Sequence, residues 1–116
     1  MKYLFILNDP PYGTERSYNA LRLARSLASR EGGEVRMFLL GDAAACAHGG
    51  QKVPQGYYNV GDMLAGFMRR NGAVSVCGTC MDARGIRDDE LVEEAARGTM
   101  DQLSEWSAWA DKVFVF

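Results

Sequence analysis

Short apolar runs alternate with stretches of helical period along the chain, and this alternation limits the possible folds more than any other feature. Tyr3 to Leu7 is a continuous apolar run closed by Asn8-Asp9-Pro10-Pro11-Tyr12-Gly13. It reads as a strand buried on both faces and followed by a loop. From Thr14, a candidate N-cap, the period changes. Ala20, Leu21, Ala24, Leu27 and Ala28 form one helical stripe, with Arg16, Arg22, Arg25 and Arg30 largely opposite it, and Gly32-Gly33 ends the helix. Val35 to Leu40 predicts a second strand closed by Gly41-Asp42.

The middle is less regular. Ala43 to Ala47 predicts a short helix, and His48 to Tyr58, with its glycines and proline, an exposed loop. Asn59 caps a helix with Val60, Met63, Leu64, Phe67 and Met68 inward. Ala73 to Cys77 is a third strand, and Gly78-Thr79-Cys80-Met81-Asp82-Ala83-Arg84-Gly85 leaves it as a loop. Asp88, followed by Asp89 and Glu90, predicts a helix burying Leu91, Val92, Ala95 and Ala96. Thr99 and Gln102 suggest a capping box for a last helix with Met100, Leu103, Trp106 and Ala110 on one face; Val113 to Phe116 is the closing strand.

Alternation of this kind implies a mostly parallel sheet with helices on both faces. In such folds the working groups gather at the carboxyl edge of the strands. Asn8 to Gly13 and Cys77 to Gly85 both fall there.

The chain of 116 residues is 47% hydrophobic and 24% charged, which suits one globular domain over residues 1–116 with a modest core, part of it open to completion by partner subunits. A net charge of −2 argues against nucleic acid as the main ligand. No run is long enough to span a bilayer, and the first apolar run is too short for a signal peptide, so a cytoplasmic protein without membrane contact is expected.

Cys46, Cys77 and Cys80 are an odd set without a secretion signal, which favours reduced thiols over a disulfide scaffold. Cys77 ends a buried strand and Cys80 follows two residues on. Arg84, Arg87 and the amides near Gly78-Thr79 are within reach to favour a thiolate. Three other readings stand beside this one: cysteines that merely fill space, a dithiol–disulfide couple, and zinc held by Cys46, His48, Cys77 and Cys80. The zinc reading is set aside, because the chain has an adequate core without a metal. Cys46, among alanines, reads as packed and His48 as a solvated loop residue. Asn8 to Thr14 lacks the lysine and glycine spacing of a phosphate loop. Trp106 and Trp109 are three apart, so only one should face the core fully, leaving the other for a subunit contact or a half-buried surface position.

Pro11-Tyr12-Gly13-Thr14 leading into a helix, Cys77 ahead of the Arg84-Gly85 pair, and the ending Trp109-Ala110-Asp111-Lys112-Val113-Phe114-Val115-Phe116 together resemble the DsrE/TusD (DsrE/DsrF-like) sulfur-relay family. The Cys-x-x-Cys-Met-Asp-x-Arg-Gly loop resembles its YchN-like branch. The resemblance implies a three-layer α/β/α domain, DsrEFH-like in the broad Rossmann/flavodoxin-like class, with a mostly parallel sheet of about five strands. It also implies assembly as a homotrimer or homohexamer.

By that resemblance Cys77 accepts sulfane sulfur as a persulfide and passes it from a donor protein to an acceptor protein, as a persulfide-carrying sulfurtransferase, with no metal and no organic cofactor. Cys80 departs from the TusD pattern, which has alanine-type residues there; it would be a resolving thiol or a second acceptor. Tyr12, Gly13, Gly78, Thr79 and Arg84 are the expected substrate-binding residues. The alternatives are a small-anion or nucleotide binding module with inert cysteines, and a Cys-x-x-Cys disulfide oxidoreductase.

Overall fold

The computed structural model describes residues 1–116 and contains one five-stranded, all-parallel sheet. In chain order the elements are β1 (Lys2–Leu7), α1 (Arg16–Ala28), β2 (Glu34–Leu39), α2 (Val60–Arg69), β3 (Ala73–Cys77), α3 (Gly78–Ala83), β4 (Ala96–Gly98), α4 (Met100–Trp109) and β5 (Lys112–Val115). One 3-10 segment, Gly41–Ala47, follows β2, and a single 3-10 turn, Asp88–Glu90, precedes β4.

The sheet order is β4-β3-β2-β1-β5. From β1 to β4 the chain steps in one direction, so right-handed crossovers place the intervening helices on one face. The return from β4 to β5 carries α4 to the other. Packing agrees with that rule. Phe5, Leu7, Val35, Met37, Leu39, Val74 and Val76 share one core with Leu21 and Ala24 of α1 and Leu64 and Phe67 of α2. On the opposite face the buried apolar cluster is Leu4, Phe38 and Leu103, edged by Ile6, Leu40, Cys77, Trp106 and Ala110. The α/β three-layer expectation therefore holds, with layers of unequal thickness.

Along β3 the side chains alternate as the pleat requires: Val74 and Val76 enter the thick core, whereas Ser75 and Cys77 point to the α4 side. Ser75 is buried and donates its hydroxyl to Gln102 Oε1. Gln102 is therefore turned away from a reciprocal capping box. Thr99 still caps α4 by accepting from the Gln102 amide at 3.2 Å, and Asn59 caps α2 by accepting from the Asp62 amide at 2.9 Å.

Three local expectations are corrected. The segment from Asp88 is not a helix: after one 3-10 turn the Val92 amide bonds to the Ala47 carbonyl at 2.9 Å, and the chain turns again at Glu93, whose φ is +34. It leads into β4, a strand with no local sequence signal, since Ala-Arg-Gly carries no apolar run. The Cys77–Gly85 segment is a loop only at its end; Gly78–Ala83 forms a short helix, stopped at Gly85, whose φ of +67 suits glycine. At α1 the N-cap is Glu15 without a side-chain bond, and Thr14 instead donates to Asp9 at 2.8 Å.

No helix is long and apolar enough to cross a membrane.

Candidate functional site

β3 delivers Cys77 to the carboxyl edge of the sheet, where it occupies the N-cap position of α3. Its thiol lies 3.3 Å from Thr79 Oγ1 and is half-buried. Beside it opens a cleft of about 290 Å³ lined by Phe38, Leu40, Gly78, Thr79, Arg97, Gly98, Thr99 and Met100. Phe38 of β2 and Leu40 just beyond it thus form one wall, and the β4–α4 junction forms the other.

The electrostatics separate the three cysteines. At Cys77, burial pulls the thiol upward. Hydrogen bonding from the Cys80 thiol, from the Thr79 hydroxyl and from the backbone amides of both residues outweighs it, leaving Cys77 below the ordinary thiol value. Cys80 moves the opposite way: burial raises it, and its hydrogen bond to Cys77 raises it further, against the Gly41 amide and Arg84, which lower it. The Gly41 N–H donates to Cys80 Sγ at 3.1 Å. Cys46 is completely enclosed and burial pushes it up to about 12. A nucleophile needs thiolate character and access, and only Cys77 combines them with an open cleft.

The other residues singled out in the sequence distribute unevenly. Gly78 and Thr79 line the cleft with Cys77. Arg84 lies on the Cys80 side: its guanidinium donates to Asp42 Oδ1 at 2.8 and 3.1 Å and to the Cys80 carbonyl at 3.1 Å. Tyr12 is not brought into the cleft. Its hydroxyl donates to Gln51 Oε1 at 2.7 Å and accepts from the Val60 amide at 3.1 Å, and its ring lines a separate hollow of about 210 Å³ with Val53, Pro54, Tyr57 and Tyr58. Gly13 is exposed at φ +102 with open space around it.

The four residues weighed as zinc ligands do not converge. His48 pairs with Glu90 at 3.4 Å rather than standing free in solvent, Cys46 faces the Asp9 carbonyl, and no three His, Cys, Asp or Glu side chains meet at one point. Both tryptophans are half-buried; Arg36 lies over both rings, at 5.4 Å from Trp106 and 3.9 Å from Trp109.

Sequence reasoning missed Phe38, Leu40, Met100 and the Arg97-Gly98 pair. A signal for the last was present. Thr99 reads as a helix start, and in an alternating α/β chain the residues just before such a start sit at the end of a strand.

An all-parallel sheet with a thiol at its carboxyl edge defines an α/β protein with a cysteine loop as its candidate site. The model of the DsrE/DsrF-like family matches residues 1–116, and the chain belongs to that family, which is generally linked to sulfur relay. It is 39% identical over 116 residues to Protein YchN of Escherichia coli (strain K12), covering 99% of this chain and 98% of that protein. It is 37% identical to Uncharacterized protein MJ0989 of Methanocaldococcus jannaschii, covering 100% of each. The crystal structure of the YchN protein from E. coli superposes with a TM-score of 0.92 at 38% identity, covering 99% of this chain and 98% of that one.

Proposed function

We propose that this chain is a sulfur-relay protein in which Cys77 carries sulfane sulfur as a persulfide between a donor and an acceptor protein. The observation that supports the reading best is the joint placement of Cys77: at a strand end, lowered below the ordinary thiol value, and open to a mostly apolar cleft. In the transfer, the Cys77 thiolate attacks the outer sulfur of a donor persulfide. A Cys77–sulfur bond forms, the donor's sulfur–sulfur bond breaks, and the departing donor thiolate takes up a proton. The exchange needs no external oxidant or reductant, and no metal or organic cofactor has a role in it. Gly78 and Thr79 bound the reacting sulfur.

The spacing of Cys80 three positions beyond Cys77, one turn into α3, favours a second step. Attack by Cys80 on the Cys77 sulfur of the persulfide would form a Cys77–Cys80 disulfide and expel hydrosulfide. That step makes Cys80 a resolving thiol.

The thin α4 face leaves Val113 and Val115 on the edge strand exposed at 45% and 65%, and Met100 at 66%. Such a surface suits a homo-oligomer, a trimer or hexamer, whose neighbouring subunit shields the cleft.

Intact mass spectrometry after incubation with a persulfide donor tests the reading. Addition of sulfur to Cys80→Ser, and addition followed by disulfide formation in the wild type, but neither in Cys77→Ser, is expected. No addition to fully reduced Cys80→Ser, with neither added sulfur nor a Cys77–Cys80 disulfide in the wild type, would overturn it and leave an anion-binding module in front. Release of hydrosulfide from the wild type but not from Cys80→Ser would assign the resolving role.

A further inference from the structure

Cys77 is followed directly by Gly78, and a side chain from another element lies across that glycine. A Cβ at Gly78 would stand 2.7 Å from Arg97 Nη1 and 3.0 Å from its Cγ, so the stem of Arg97 fills the space any side chain there would need. Arg97 comes from β4, where it pairs with Val76 as Gly98 pairs with Cys77. Its guanidinium reaches over the start of α3 to the far end of that helix. There it donates to Asp82 Oδ1 at 2.7 Å and Asp82 Oδ2 at 3.3 Å, and it also donates to Asp88 Oδ1 at 3.0 Å. Arg97 holds the Asp82 carboxyl below the usual carboxylate range. One residue thus joins β4, α3 and the Asp88 turn around the segment that carries the nucleophile.

We propose that Arg97 is a positioning residue for Cys77, bracing the Gly78 turn from β4 so that the Thr79 hydroxyl stays 3.3 Å from the sulfur. The inference rests on Cys77 being the reacting thiol, but it concerns that thiol's acidity and not the sulfur transfer itself. Arg97 acts through geometry because its charge is already offset by two carboxylates.

Tethering and direct charge make opposite predictions at one position. Both expect Arg97→Met to raise the Cys77 titration midpoint. Asp82→Asn separates them. If Arg97 acted by its charge, removing a nearby carboxylate would unmask the guanidinium and lower the Cys77 midpoint. If it acts as a brace, loosening its hold on α3 raises the midpoint.

The experiment is a pH titration of thiolate absorbance on the full chain, with peptide-resolved iodoacetamide labelling to isolate Cys77 and thermal melting to establish folding. Arg97→Met and Asp82→Asn should each slow Cys77 labelling at neutral pH by roughly three- to tenfold, following the loss of thiolate. The double variant should be no slower than the worse single one, because both break the same contact. Arg97→Lys, which keeps the stem and one charged contact, should restore part of the rate. A faster Cys77 in Asp82→Asn would overturn the proposal in favour of a charge effect. Unchanged labelling in variants with lowered melting would overturn it in favour of a merely structural role. Should Arg97→Met fail to fold, the sign observed in Asp82→Asn, a change at an exposed side chain, decides alone. A persulfide assay that fails while these titrations behave as expected would count against the relay reading and leave the brace intact.

Discussion

On one face of the sheet α1 and α2 enclose a core of 20 buried residues; on the other, α4 encloses three. The difference follows from connectivity. Successive one-way crossovers stack α1 and α2 side by side on the same face, whereas only the return to β5 crosses behind. The thick face supplies the stability that orders the strands. The thin face leaves room for a cleft, and the alternating pleat turns Cys77 toward it while Cys80 packs against the thick side. Two cysteines three positions apart therefore meet different environments, and they are shifted in opposite directions.

The contrast can be broken most forcefully by removing matched side chains. Leu64→Ala in the thick core should cost about 3–5 kcal/mol, whereas Leu103→Ala under α4, where the neighbouring cleft permits relaxation, should cost about 2 kcal/mol. Denaturant unfolding measures both, and equal losses would count against unequal layers. Gly98→Ala probes the thin face more finely. A Cβ there would stand 2.2 Å from Ser75 Oγ, 2.4 Å from Gln102 Oε1 and 3.1 Å from the Phe38 ring. A loss of about 1–3 kcal/mol is expected by the same measurement, with Cys77 labelling altered because the cleft wall moves.

Titration sharpens the comparison further. Cys46 in the thick core is raised in the folded protein from 9.0 to about 12, so it contributes stability below the unfolded-state value. That contribution is lost as pH rises from 9.0 through about 12. Cys46→Ala should therefore show a shallower fall in stability across that window than the wild type, in melts run at successive pH values. Cys77 has the reverse sign: its lowered value contributes stability above the unfolded thiol pKa, lost as pH falls through the folded one. The smallest effect is expected at the edge. Val115→Lys should change the stability of the fold by less than about 0.5 kcal/mol, since the side chain is exposed. The same variant should lower the assembled mass seen by light scattering if the edge is a subunit contact.

Much of this molecule could be read from residue order. The β1, β2 and β3 runs, the α1 and α2 stripes, the Asn59 cap and the burial of Cys46 all follow from periodicity and from where glycine interrupts it. Two kinds of feature could not. β4 is three residues long and takes its extended form from pairing with β3, which no local pattern announces. The apolar spacing of Leu91, Val92, Ala95 and Ala96 imitates a helix, but tertiary bonds to the Gly41–Ala47 segment and to Gly49 override it. At the candidate site, Cys77, Gly78 and Thr79 are neighbours in sequence and were legible for that reason. Arg97 reaches the same place through strand pairing alone. Tyr12 carried the opposite hazard: a loop at the expected edge suggested a wall of the site, but the Gln51 amide and the tyrosine rings hold it in a hollow of its own.

The pairing of β1 with β5 has a consequence for how the chain is made. Asp111 bonds back to the Lys2 amide across 109 positions, and Phe5 stacks on Phe114 and Phe116. During synthesis β1 emerges early, yet one of its edges stays open until the β5 segment leaves the ribosome. Until then a row of unpaired amides and carbonyls beside Phe5 is available to any extended chain nearby. The early-made half of the sheet therefore depends on the last-made strand for protection, and slow release of β5 should expose the nascent protein to misassembly at that edge before any mature surface exists.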